Sequence, residues 1–403
     1  MSQPDRMSPT EWRAAFSLAA IFGLRLFGMF IILPVFVIYA EQLEGGSDMG
    51  LVGIALGAYG LTQAILQIPF GWWSDRYGRK RVIYVGLAIF ALGSFVAAVA
   101  TSIHFVIVGR ILQGAGAISA AVIAMASDLT REQHRTKSMA LIGSTIGVAF
   151  AVSLVASPAL NRMIGVPGIF VLTGVLALAA MLLVWRVVPD PEQTAGPARG
   201  TLQQFRLLLA DRQLLRLNYG IFALHAVLMA MFIAVPLALR EAGLPVQSHW
   251  HVYLPVMLLS FVLMLPAVMG SGRTHRLKQY FVLSVALVLV AQILLGTLPA
   301  QVWPLALVLL VFFTPFNVLE AMLPSLVSRM APPEAKGAAL GIYSSVQFLG
   351  TFVGSAAGGY AYAHWGATGV TVLCAGLQLV WLAVAAGMHI PERGARSEQR
   401  ATA

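Results

Sequence analysis

Charge is what this chain has least of. Only 10% of its 403 residues are Asp, Glu, Lys or Arg, while 59% are hydrophobic; a water-soluble protein carries about 25% charged residues. That deficit excludes a soluble enzyme or a soluble binding module. Cysteine is almost absent as well: the single Cys374 excludes an intramolecular disulfide and a thiolate metal centre. Paired carboxylates, zinc-ligand spacing, a nucleophile triad and a phosphate-binding loop are all missing, so no enzymatic activity, catalytic residue, metal or cofactor is expected. Residues 1–11 are polar and lack the apolar core of a cleavable signal peptide. The first apolar segment is therefore expected to direct insertion itself.

What is present is a series of twelve apolar blocks, near 14–40, 50–73, 82–101, 104–126, 138–160, 167–188, 216–240, 249–270, 280–298, 302–328, 338–362 and 366–390. About 20 apolar residues suffice to cross a ~30 Å hydrocarbon core as a helix. The blocks predict an all-α integral membrane protein with 12 transmembrane helices. The net charge of +10 does not point to nucleic acid, because 22 of the 26 Lys and Arg alternate in position with the blocks. They lie before the first block, in the connections 2–3, 4–5, 6–7, 8–9 and 10–11, and in the tail. The opposite side holds only Arg162 and Arg240, with Glu41, Glu44 and Asp48 in its first loop. Positive residues stay cytoplasmic, so both termini are expected there, with the lipid bilayer as partner and a weak attraction to anionic lipid.

Residues 189–213 form the one long polar interruption, with Pro189, Pro191, Gly196, Pro197 and Gly200. Leu202, Phe205, Leu208 and Leu209 then recur at helical spacing and predict a short amphipathic surface helix. The domains expected are a first six-helix bundle over 1–188, a cytoplasmic linker over 189–213 and a second bundle over 214–403. The halves look duplicated. Setting Pro69 over Pro266 puts Arg76 over Arg273, Arg79 over Arg276 and Arg81 over Lys278, while Asp75 falls over Gly272. Lys137-Ser-Met-Ala140-Leu141 repeats as Lys336-Gly-Ala-Ala339-Leu340 at nearly the same separation.

Between blocks two and three runs Gly71-Trp-Trp-Ser-Asp75-Arg76-Tyr-Gly78-Arg79-Lys80-Arg81. This charge cluster resembles the signature loop of the major facilitator superfamily, whose members move small solutes across membranes. The resemblance covers all twelve blocks and implies two pseudo-symmetric six-helix bundles around a central cavity. It implies that Asp75 sits near the N-terminus of the eleventh helix, which begins around Gly337, where a helix dipole stabilises a carboxylate. It further implies that Arg79 pairs with an acid at the end of span four, a position Asp128 fits, and that Gly71, Asp75, Arg76, Gly78, Arg79, Lys80 and Asp128 form a cytoplasmic gate. The plain alternative is a solvated basic loop that only sets topology. Arg110-Ile-Leu-Gln113-Gly114-Ala-Gly116 looks like the family's arginine motif of proton-coupled members; otherwise Arg110 is a structural arginine bonded to backbone carbonyls. In span five, Gly143 and Gly147 precede Ser157-Pro158 without the Gly-Pro and closing glycine pair of the drug-exchange branch, which leaves the direction of transport open, although Gly143-x-x-x-Gly147 permits close packing. Arg25-Leu-Phe-Gly28, Ser127-Asp128-Leu-Thr-Arg131-Glu132, Phe316-Asn317-Val-Leu-Glu320-Ala-Met-Leu-Pro324-Ser325 and Gln347-Phe-Leu-Gly350 resemble a YajR-type bacterial branch of proton-coupled exporters. That implies residence in a bacterial inner membrane and function as a monomer.

Deep within the blocks, four ionisable side chains stand out: Arg25, Arg110, His225 and Glu320. Ionisable groups avoid lipid and mark solute or proton paths, and the family fold would set all four helices around its cavity. Glu320 is the one deep carboxylate and a candidate proton carrier, with Asn317 one helical turn away; its alternative is a fixed ion pair with Arg25 or Arg110. His225, whose imidazole ordinarily titrates near 6.5, is the other candidate carrier. Gln63, Gln67 and Gln347 bridge helices or touch substrate. The Gly350, Gly354, Gly358 series permits close helix contact, and Trp72, Trp73 and Trp381 read as interfacial or packing aromatics. The expectation is proton-coupled antiport of a small organic solute, powered by the proton gradient. Import by a symporter or uniporter, or a sensor without turnover, are the alternatives.

Overall fold

The structure, a computed structural model, describes residues 7–189, 202–270, 274–332 and 335–388. Arg273 and Gly272 of the duplicated loop, residues 190–201 of the expected linker and the tail arginines lie outside the described residues. The chain runs α1 (Pro9–Phe30), α2 (Leu33–Ala40), α3 (Met49–Tyr77), α4 (Arg79–Ala98), α5 (Ile103–Ala115), α6 (Ser119–Asp128), α7 (Glu132–Arg186), α8 (Leu202–Ala210), α9 (Arg212–Glu241), α10 (Trp250–Gly270), α11 (Thr274–Thr297), α12 (Val302–Met330) and α13 (Lys336–Ala386). No strand occurs among the described residues. In lipid, a helix satisfies its own backbone groups, which is why so apolar a chain takes this one form.

Polar residues set the starts of these helices. Ser8 and Glu11 make a reciprocal capping box at α1, with Pro9 in the first turn. Asp48, Ser102 and Asp211 accept backbone N–H bonds at the starts of α3, α5 and α9. Interruptions have equally local causes. Pro34 has no N–H to offer Phe30, so the first span breaks into α1 and α2. The fourth span breaks at Gly116.

Ten helical runs among the described residues are long and apolar enough to cross a membrane. Blocks five and six share α7, and blocks eleven and twelve share α13. At 55 and 51 residues, these two helices have a contour of roughly 80 Å at 1.5 Å per residue, far beyond one ~30 Å crossing. Each is broken mid-way, at Gly165 (φ 67°) and Gly366 (φ 60°). Both glycines occupy the left-handed region that a Cβ disfavours, and they take corresponding places in the two halves.

Contacts divide the chain into two compact units, Met1–Arg199 with Pro245–Trp250, and Gly200–Leu244 with His251–Ala403. In the first, α1 packs most extensively on α7, and α4 on α5 and α7. In the second, α9 packs most extensively on α13, and α11 on α12 and α13. α9 is buried on nearly every face, as a helix apolar all round should be. Gly350, Gly354 and Gly358 make its contact with α13 possible: a Cβ at Gly358 would lie 2.8 Å from the Cα of Ala230, and one at Gly354 would strike the Ala226 backbone. Gly143 and Gly147 behave otherwise. A Cβ at either meets nothing within 4 Å among the described residues, so the packing that this pair permits is not used within the first unit. Trp381 is fully buried against Phe281, while Trp72 and Trp73 are exposed. The predicted surface helix is α8, with Leu208 buried and Leu207 and Leu209 exposed. Large apolar side chains such as Val99, Met163 and Trp303 stand almost fully exposed, an arrangement that lipid tolerates and water does not.

Candidate functional site

Three polar clusters interrupt this apolar fold. The first lies at the junction of α3 and α4. Gly78 has φ 96° with nothing near its missing Cβ, so its backbone conformation alone calls for glycine. The turn brings Arg79 back over the end of α3, where it pairs with Asp75. Its Nε donates to Asp128 Oδ2 at 3.0 Å, at the end of α6, and its Nη1 donates to Ser74 Oγ at 2.7 Å. Gly71 lets α3 approach α6, since a Cβ there would lie 3.3 Å from that of Ala120. Arg76 stacks over the rings of Trp72 and Tyr77, and Lys80 is half-buried nearby.

The charges of this cluster are each misplaced for their own helix. Asp75 and Asp128 stand at helix C-termini and Arg79 at an N-terminus, each disfavoured by the helix dipole, by about 0.3–1 kcal/mol. Their mutual pairing offsets that cost. The cluster ties helices together rather than stabilising any one of them.

A neighbouring tie was not foreseen from sequence. Glu11 Oε1 accepts from the backbone N–H and Nε of Arg131, both at 2.9 Å, and Oε2 accepts from Arg131 Nη2 at 2.9 Å and the Ser8 N–H at 2.7 Å. The Ser8-Pro-Thr-Glu11 capping pattern was the legible signal for Glu11; the reach to Arg131 was not. With Arg79–Asp128, it fastens both ends of the short 128–131 connection.

The second cluster lies deep in the first unit. The Arg25 and Arg110 guanidiniums lie 5.6 and 5.1 Å from the ring centre of Tyr59; both arginines are buried, at 2% and 0% exposure. Arg25 donates to Ser119 Oγ at 2.9 Å and to Gln63 Oε1, and Gln63 passes a bond to Gln67 Oε1 at 2.9 Å. Arg110 donates to Gln113 Oε1 at 2.9 Å and the Leu56 carbonyl at 3.2 Å; Gln113 in turn donates to Ser94 Oγ at 2.8 Å. Among the described residues neither guanidinium has a carboxylate partner, and the Nε of each is buried without a hydrogen bond. Tyr59 and Ser119, which complete the cluster, carry no sequence signal of their own.

The third cluster lies in the second unit. His225 of α9 has Nδ1 3.5 Å from Glu320 Oε1 of α12, and Nε2 2.8 Å from the Gln347 amide nitrogen of α13. With the amide N–H donating to Nε2, a neutral ring carries its proton on Nδ1; at 3.5 Å, neither Nδ1 nor Glu320 Oε1 completes a hydrogen bond. Asn317 does not join Glu320, although one turn separates them. Its Nδ2 donates to Ser260 Oγ of α10 at 3.0 Å.

A profile of the Major Facilitator Superfamily matches residues 18–316 and again 256–403. Inner membrane transport protein YajR of Escherichia coli (strain K12) is 44% identical over 391 residues, 96% of this chain and 85% of its own. Multidrug resistance protein MdtH of Proteus mirabilis (strain HI4320) is 28% identical over 349 residues, 84% of each chain. Among solved structures, a D-xylose-proton symporter superposes with a TM-score of 0.74 at 14% identity, covering 94% of this chain and 98% of that one; at that identity it speaks to the fold. The resemblance read from the Asp75–Arg79 loop thus extends over residues 18–403, and the chain belongs to the Major Facilitator Superfamily of membrane transporters.

Proposed function

We propose that this transporter is a proton-coupled antiporter that exports a small organic solute by alternating access, driven by the proton gradient and without a cofactor. The observation that carries this reading is the His225–Glu320 pair, with Gln347 fixing the imidazole. An acid and a base 3.5 Å apart inside membrane-spanning helices stand away from water, and ionisable groups at such depth mark ion or solute paths. Glu320 or His225 takes a proton from the outer side and gives it up to the cytoplasm, and the loss and return of their mutual attraction biases the two access states.

Asp75, Arg79 and Asp128, framed by Gly71, Arg76, Gly78 and Lys80, act as the cytoplasmic gate. Arg25, Arg110, Gln113 and Asn317 belong to the solute and proton path. Two buried guanidiniums without carboxylate partners favour neutral or anionic solutes over strongly cationic ones. In this reading α7 and α13 each make two passes, which brings the count to twelve. The domains follow as 1–188, 189–213 and 214–403, working as a monomer in a bacterial inner membrane with both termini cytoplasmic.

The test is proton flux in proteoliposomes with an internal pH dye, over a panel of drugs, sugars, organic acids and amino acids. Proton movement out of phase with solute, lost in Glu320→Gln, is the expected result. Co-directional movement would replace export by symport, and solute flux with no proton movement would leave a uniporter.

A further inference from the structure

The first unit contains an apolar groove that meets the three polar clusters only at Tyr77. Its volume is about 440 Å³, and it runs between α3 and α4 to Ala115 of α5. Leu66, Phe70, Val85 and Ile89 line its deep part. Trp73, Tyr77 and Arg81 line its other end, next to the α3–α4 turn. The lining positions of α3 recur every three or four residues, so they form one helical face. From Leu66 to Tyr77 that face extends about 16 Å at 1.5 Å per residue, half of a ~30 Å hydrocarbon core. The groove is as deep as one leaflet.

Its ends have the chemistry of a leaflet too. The deep part offers no polar group, so an acyl chain fits it and a hydrated solute does not. Trp73 and Tyr77 have the amphipathic rings that settle at headgroup level. Arg81 is exposed and, among the described residues, has no hydrogen-bond or ion-pair partner, unlike Arg79 beside it. A planar guanidinium presents paired donors suited to phosphate.

We propose that this groove is a binding site for one anionic phospholipid, with an acyl chain between α3 and α4 and its phosphate on Arg81. The occupant sits in the leaflet on the side of the α3–α4 turn. Because α4 begins with Arg79, a lipid seated there braces the helix that carries the central cation of the gate cluster.

The test is native mass spectrometry of the purified full chain, relipidated with equal amounts of phosphatidylglycerol and phosphatidylcholine of matched acyl chains. The expected result is one tightly retained lipid, with phosphatidylglycerol favoured about fivefold, the effect of one basic residue at an anionic headgroup. Arg81→Gln should abolish the preference while a lipid is still retained. Val85→Trp, at an exposed position that fills the groove, should lose the tight lipid of either kind. Arg329→Gln removes the same charge elsewhere and should behave as the unaltered protein, and circular dichroism should show all three variants folded. Equal retention of the two lipids, a preference that survives Arg81→Gln, a lipid still held tightly by Val85→Trp, or a lipid-free dimer in place of the bound lipid would each overturn the site.

Discussion

His225 has two ring nitrogens, and the second unit gives each a neighbour of different chemistry, an amide on Nε2 and a carboxylate beside Nδ1. Removing the amide frees the ring to turn or change tautomer without touching the acid. Gln347→Leu is therefore expected to lower solute-coupled proton flux about fivefold, the worth of one hydrogen bond near 1 kcal/mol, while Glu320→Gln abolishes it; stopped-flow pH traces in proteoliposomes distinguish the two. The ionisable residues of this cluster were legible in the sequence because a charge inside an apolar block is conspicuous. Their partners were not. Gln347 lies 122 positions from His225, and Arg131 lies 120 from Glu11, and nothing in a local pattern couples residues so far apart. Asn317 is a case between the two: its place one turn before Glu320 was legible, and its hydrogen bond to Ser260 of α10 was not.

At the scale of elements, glycine spacing proved ambiguous until the neighbours were known. Gly143 and Gly147 share the small-xxx-small pattern of Gly350, Gly354 and Gly358, yet only the second set faces another backbone. The consequence is measurable. Gly354→Val forces a side chain into the Ala226 backbone, where overpacking costs about 1–3 kcal/mol or more, and is expected to abolish recovery of monodisperse protein. Gly376→Val, with open space at the same atom, should leave the size-exclusion profile unchanged. Helix starts were more legible than helix contacts. The Ser8–Glu11 box and the prolines act within one turn of themselves, but Pro34 stands at a break while Pro69, Pro236 and Pro315 lie inside continuous helices, so proline alone does not locate one. The gaps between blocks five and six and between eleven and twelve were legible, but that Gly165 and Gly366 make the turns needed the backbone angles, because glycine permits a left-handed turn without requiring one.

At the scale of the whole molecule, charge and hydropathy set the topology. The alternation of basic connections predicts which loops meet which side of the membrane. In a Cys374→Ala background, single cysteines at Lys137 and Arg329 are expected to react with an impermeant maleimide only after the cytoplasmic face is opened. Cysteines at Arg162 and Arg240 are expected to react in intact cells. Labelling of all four from one side would contradict the arrangement. The membrane-spanning helices, the superfamily and the list of deep charged residues were determined by the sequence itself, because burial in lipid and charge at an interface are properties each segment carries with it. The Arg79–Asp128 pair was already expected from the resemblance, but that Tyr59 stands near two guanidiniums and that Gln347 holds His225 was decided only by tertiary structure. Contact between distant segments is a property of packing, and packing is not written in any one of them.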